Sequence, residues 1–146
     1  MSVQAQGISV PDRQRIAEWM TGRPLGTVST ALPAQARCSA LPGPINAPLK
    51  GAFWNGWGVA ADNGRFQTAA RAGLRAADIP TLQLKWAFGF PGATSAFSQP
   101  TVAGGRVFVG GDAGVVYALD AKTGCYYWAF QADGAVRTPV VIGESK

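Results

Sequence analysis

The stretch "ALDAKTGCYYW", residues 118–128, decides the fold. It runs from the end of an apolar run, through Asp120 and the Thr123-Gly124 turn, into an aromatic run that holds Trp128. That order reads as two β-strands joined by a tight turn. Asp120 is placed to cap the turn through its carboxylate, and Gly124 permits the tight backbone. Trp128 stands on the second strand. A large flat side chain there suits the joint between two neighbouring sheets, and its indole N–H can find a carbonyl. Ala118, Asp120, Thr123, Gly124 and Trp128 are therefore read as a structural docking motif and not as catalytic groups.

Working outward, further apolar runs are split by glycine turns. The spacing predicts strands at Ser98 to Ala103, Arg106 to Gly110, Val115 to Leu119 and Cys125 to Phe130, with turns at Gly104-Gly105 and at Gly111 to Gly114. Another strand is expected at Leu82 to Phe88 and another over Arg137 to Ile142. The tripeptide "WAF" occurs at 86–88 and again at 128–130, and "PTVAG" at 100–104 is echoed by "PVVIG" at 139–143. Both offsets are about 40 residues, the period of a four-stranded propeller blade. Such a blade cannot hold its core alone and needs neighbours on both faces.

Upstream the pattern changes. "VPDRQRIAEWMTGRP", residues 10–24, predicts one short helix. Pro11 suits its first turn and Asp12 its positive end, while Ile16, Ala17, Trp19 and Met20 share a face. Gly22 and Pro24 stop it. Residues 25–51 carry Pro33, Pro42, Pro44 and Pro48 and read as a linker or pinned surface loop. A short turn or helix is expected near Asp78.

Composition narrows the function. The chain has 146 residues, 47% of them hydrophobic, with 19 Gly, 10 Pro and 5 Trp, which favours β structure over a helical bundle. Its +5 charge comes from scattered arginines and not from a concentrated patch, so no nucleic-acid partner is expected. Histidine is absent, which removes zinc hydrolysis and Ser-His triads. No run is long enough for a membrane span, and no basic flank with an apolar core marks a signal peptide. The two cysteines, Cys38 and Cys125, are either separate buried thiols or one disulfide. Both readings stand at this point. A bridge would pin the 25–51 segment to the strand that Cys125 opens.

"ALDAKTGCYYW" resembles the tryptophan-docking motif of pyrroloquinoline quinone (PQQ) dehydrogenases at every defined position. "NGRFQ" (63–67) resembles the Asn-x-Arg-aromatic stretch that precedes the first blade in that family, and "LKWAF" its opening strand. The set "WNGWG", "NGRFQ", "LKWAFGFPG" and "YALDAKTGCYYWAF" is most similar to polyvinyl-alcohol-dehydrogenase-type quinoproteins, over roughly residues 52–146. The resemblance implies a mainly β chain: a partial β-propeller of about one four-stranded quinoprotein blade plus flanking strands, with a short N-terminal helix. It implies three parts: 1–24, a helix resembling the end of a cytochrome c domain; 25–51, a Pro-rich linker; and 52–146, the start of the propeller.

The same resemblance implies alcohol oxidation in the periplasm, with PQQ and Ca2+ on the propeller axis and electrons passing to cytochrome c. The remaining blades would be partners. Without CxxCH the chain cannot attach haem c in the usual way. Arg137 falls where the family pairs an arginine with a PQQ carboxylate. The family's vicinal cysteines would fall at Gln131-Ala132, and its glutamate near Phe97. Both are missing here, with Ser98 or Gln99 left to supply a polar contact. No catalytic or metal-binding residue is assigned, and the stretch alone is expected to be inactive. The alternative is a non-enzymatic PQQ-repeat scaffold that binds protein partners.

Overall fold

The computed structural model describes residues 7–22, 24, 31–60, 62, 64–93 and 95–143. It divides into two compact units, Met1–Ala31 and Leu32–Lys146.

The first unit is built on helix α1, Val10–Thr21. Ser9 caps it: the Asp12 amide donates to Ser9 Oγ at 3.3 Å, and the Ser9 hydroxyl donates to the Asp12 carboxylate at 2.6 Å. Gly22 ends it in the left-handed conformation, φ 64°. Trp19 and Met20, on the apolar face read from the sequence, are exposed.

The second unit is a four-stranded antiparallel sheet in sequential order: β1 Thr101–Ala103, β2 Arg106–Gly110, β3 Val115–Asp120 and β4 Tyr126–Gln131. Gly104 and Gly105 both have positive φ, the backbone of the two-residue hairpin turn between β1 and β2. The first strand is shorter than expected, because Ser98 to Pro100 lie outside the ladder. The third and fourth each run one residue further than expected, and the fourth starts at Tyr126.

Side-chain alternation sends alternate residues of β2 and β3 to opposite faces. Ala103, Phe108 and Ala118 form a buried cluster on one face, packed by Ile45, Val140 and Ile142. Val109, Tyr117 and Leu119 form the other, packed by Leu32, Trp86, Phe88 and Phe90 among others. A bulge between Ala118 and Leu119 lets Ala118 stand opposite Trp128 while Leu119 stands opposite Tyr126.

Two expected strands take another form. Residues 82–88 form no strand and join no ladder. Trp86, Phe88 and Phe90 lie across the second face instead, where Phe88 meets Tyr117 edge-on at 5.0 Å. Residues 137–142 also run outside the ladder, held against the first face by side-chain hydrogen bonds. An apolar stretch that covers a face shows the same sequence pattern as one that pairs at an edge. The chain thus partly covers both faces of its own sheet.

The segment before the sheet wraps it. Leu32 packs on the second face, Arg37 forms a parallel bridge with Tyr126, and the Cys38 amide donates to the Tyr126 carbonyl at 3.0 Å. Arg106 donates to the Gly43 carbonyl, and Ile45 reaches the first face over Gly104. Trp54 then bridges Val102 through two backbone hydrogen bonds of 2.8 and 2.7 Å, on the free edge of β1. The turn expected near Asp78 is a 3-10 helix, Ala76–Thr81. Of the "NGRFQ" stretch, Asn63 lies outside the described residues.

Candidate functional site

Three segments meet at one end of the sheet. Ser98 precedes β1, Gly110 to Asp112 leave β2, and Val136 to Thr138 follow β4. Ser98 is buried, and its hydroxyl donates to the Thr138 carbonyl at 2.9 Å and accepts from the Gly110 amide at 3.4 Å. The Val136 amide donates to the Gly111 carbonyl at 3.1 Å, and the Val136 side chain packs on Gly110, where there is no room for a Cβ. The Asp112 amide donates to the Ser95 carbonyl at 3.4 Å.

This junction presents Arg137. Its guanidinium lies 5.7 Å from the centre of the Phe97 ring, and its Nε donates to the Asp112 carboxylate at 3.4 Å. The Arg137 side chain is 66% exposed and that of Asp112 is 26% exposed. A planar cation held from one side and open on its terminal nitrogens suits a carboxylate, which it can meet through two parallel hydrogen bonds. Ser98 spends its hydroxyl on the protein's own backbone, so it is not a free polar contact for a ligand. Gln131 donates to backbone carbonyls of Ala113 and Ala132 at 3.3 and 3.0 Å. Among the described residues no group of three His, Cys, Asp or Glu side chains comes together as a metal site.

The opposite end holds the docking turn. Asp120 Oδ1 accepts from the amides of Lys122 and Thr123 at 2.9 and 2.8 Å and from the Thr123 hydroxyl at 2.9 Å. Asp120 Oδ2 accepts from the Tyr127 hydroxyl at 2.6 Å. The Tyr127 hydroxyl is the main reason that the Asp120 carboxyl is held down at about 2, with the turn donors adding to it. The same bond pushes the Tyr127 phenol above its ordinary value.

The structure separates the two tryptophans of the repeat. Trp128 projects on the face of Ala118 and Phe108, tilted against Phe108 at 6.0 Å, and is 41% exposed. The indole seated on the Thr123-Gly124 turn is that of Trp86, whose Nε1 donates to the Ala121 carbonyl at 3.2 Å. Trp86 was not singled out from the sequence, although the repeated "WAF" carried the signal. Cys38 and Cys125 form a disulfide, Cα–Cα 5.1 Å, beside the turn, with Thr123 Oγ1 3.2 Å from Cys125 Sγ.

An open groove of about 430 Å³ beside the β1 edge is lined by Leu49, Phe53, Trp57, Val59 and Val141 and by no titratable side chain.

A model of the PQQ-repeat class, described as outer membrane protein assembly factor BamB, matches residues 15–145. Two polyvinylalcohol dehydrogenases are similar. The one from Sphingopyxis sp. (strain 113P3) is 49% identical over 106 residues, 73% of this chain and 15% of that protein. The one from Pseudomonas sp is 39% identical over 155 aligned residues, 97% of this chain and 24% of that protein. No solved structure matches. The chain spans less than a quarter of the length of these relatives. It belongs to the PQQ-repeat family, and its sheet is one blade of the mainly β propeller that this family builds.

Proposed function

We propose that this member of the PQQ-repeat family supplies a blade of a PQQ-dependent dehydrogenase that oxidises alcohols, polyvinyl alcohol among them. The observation that carries the reading is the Arg137 guanidinium, set by three converging segments with its terminal nitrogens open. PQQ bears carboxylates on a planar ring system, and Arg137 beside the Phe97 ring offers the charge and the flat surface to meet them. When bound, PQQ supplies the redox chemistry, and the protein supplies orientation and charge.

The rest of the reading follows from the relatives and the local chemistry. The names of the two relatives support the alcohol substrate. The Cys38–Cys125 disulfide supports an oxidising compartment, and so the periplasm. Ca2+ would be held by other blades. Electrons would pass to cytochrome c, and α1, with its resemblance to the end of such a domain, supports that route. The parts are assigned as before: 1–24 to the cytochrome-like helix, 25–51 to the linker, 52–146 to the propeller. The stretch by itself is inactive in this reading, because the catalytic groups come from other blades.

A second reading is favoured by Gln131-Ala132 standing where the vicinal cysteines would be, and by the assembly-factor description of the family model. In it the blade belongs to a scaffold that binds protein partners. The experiment that separates the two uses protein expressed from the whole gene and loaded with PQQ. Dye reduction driven by polyvinyl alcohol or secondary alcohols is expected, and Arg137→Ala should weaken PQQ binding by about 1.5–3 kcal/mol. No dye reduction with any alcohol, and no PQQ binding, would give the scaffold its case.

A further inference from the structure

We propose that Asp112 is a positioning residue for Arg137, holding the guanidinium from its Nε side so that both terminal nitrogens face outward to a carboxylated planar ligand. The inference rests on the reading of Arg137 given above. Asp112 is itself fixed. Its amide bonds to the Ser95 carbonyl, and the neighbouring Gly111 bonds to Val115 and Val136 through its own amide and carbonyl. The carboxylate is only 26% exposed, while the arginine it holds is 66% exposed. Arg137 makes its one hydrogen bond among the described residues through Nε, and the Phe97 ring lies against the guanidinium. Two contacts of that kind restrain the plane of the group and leave its Nη1–Nη2 edge unspent.

As a stabilising device the pair contributes little, since an ion pair with one partner this exposed is screened by solvent. Its charge is also unfavourable for an anion site, because a carboxylate beside Arg137 repels an incoming carboxylate. Orientation is what remains for it to supply, and that has a distinct signature. Asn at this position keeps the Oδ1 acceptor and removes the charge. Ala removes both.

The test is an isotope-edited NMR titration with PQQ of protein expressed from the whole gene, read at the Arg137 Nε–Hε resonance, with the β1–β4 amides as the folding control. In Asp112→Ala the Arg137 side chain should become more mobile and PQQ affinity should fall about tenfold, the scale of one charge-assisted hydrogen bond. Asp112→Asn should restore the restrained side chain and bind PQQ as tightly as the unmodified chain, or more tightly. Equal or tighter binding by Asp112→Ala, with binding weakened by Arg137→Ala, would overturn the role of Asp112 alone. Binding that is undetectable in the unmodified whole-gene protein, or unaffected by Arg137→Ala, would overturn the reading of Arg137 and this inference with it.

Discussion

The indole of Trp86 lies directly over Gly124: a Cβ built on that glycine would come within 2.5 Å of Trp86 Cδ2 and 2.7 Å of Cε3. The indole N–H donates to the Ala121 carbonyl of the same turn. The turn that opens the reading of this sequence is thus a seat, and the group in it comes from the preceding copy of "WAF". Trp128, from the copy that follows, projects on the opposite face of the sheet. One blade therefore carries the seat on one side and an aromatic side chain to be seated on the other, which is how identical repeats join in series.

Gly124→Ala should destabilise the second unit by about 2–4 kcal/mol. Two costs add: a left-handed backbone, φ 75°, that disfavours a side chain, and a methyl group driven into the indole. Urea unfolding followed by circular dichroism measures it. A change under about 0.5 kcal/mol, the scatter of neutral surface changes, would mean that Trp86 is not held there.

The two tryptophans should behave differently on truncation. Trp86→Ala removes a half-buried indole that packs with Val109, Tyr117 and Leu119 and loses its bond to Ala121. A loss of about 2–4 kcal/mol is expected, toward the lower end of fully buried aromatics. Trp128→Ala removes a side chain that is 41% exposed and should cost about 1 kcal/mol in this chain. The comparison of the two unfolding midpoints is the measurement, and equal losses would contradict the assignment of the seat to Trp86.

The four strands were legible because each is an apolar run bounded by a turn that only certain residues make, as at Gly104-Gly105 and at Asp120 to Gly124. The manner in which residues 82–88 and 137–142 pack was not. Alternation marks a buried face, and it is the same whether the backbone pairs or simply crosses a sheet. The Asn55 amide shows the difficulty: it exchanges two hydrogen bonds, 2.9 and 2.8 Å, with the backbone of Ile142, 87 positions away. At the candidate site Arg137 was reached through resemblance, whereas Asp112 looked like any residue of a glycine turn. Its meaning lies in the meeting of three segments, which no local pattern encodes.

The turn should also make stability depend on pH at both ends. The folded Asp120 carboxyl sits at about 2, below its ordinary 3.8, chiefly through the Tyr127 hydroxyl. Its contribution is complete above the ordinary value and is lost as pH falls toward about 2. Tyr127 is shifted upward from 10.0, first by its bond to Asp120, so its contribution is present below 10.0 and is lost as pH rises beyond it. Tyr117, raised by burial, acts in the same alkaline direction. Tyr127→Phe should move the Asp120 titration back toward the ordinary carboxylate range, as read by carbon NMR of its carboxyl. An unmoved titration would show that the turn amides, and not the phenol, set it.

The disulfide should matter more than its surface position suggests. It joins residues 87 positions apart, so it restricts the unfolded chain strongly, and the chain-entropy relation puts the stabilisation at about 4.6 kcal/mol. It also ties the wrapping segment to the strand that leaves the docking turn: the Cys38 amide bonds the Tyr126 carbonyl, and the Thr123 hydroxyl contacts Cys125 Sγ. Reduction should therefore free the segment around Leu32 to Cys38 before the sheet itself melts. Mass spectrometry of unreduced protein from an oxidising compartment should recover one peptide pair joined through Cys38 and Cys125. Reductant, or the double change Cys38→Ser with Cys125→Ser, should lower the urea midpoint and raise hydrogen exchange at the Cys38 amide, with smaller effects at β2 and β3. Equal increases across the whole sheet would mean that the bridge stabilises the fold globally and leaves no separate step in which the wrapping segment is released.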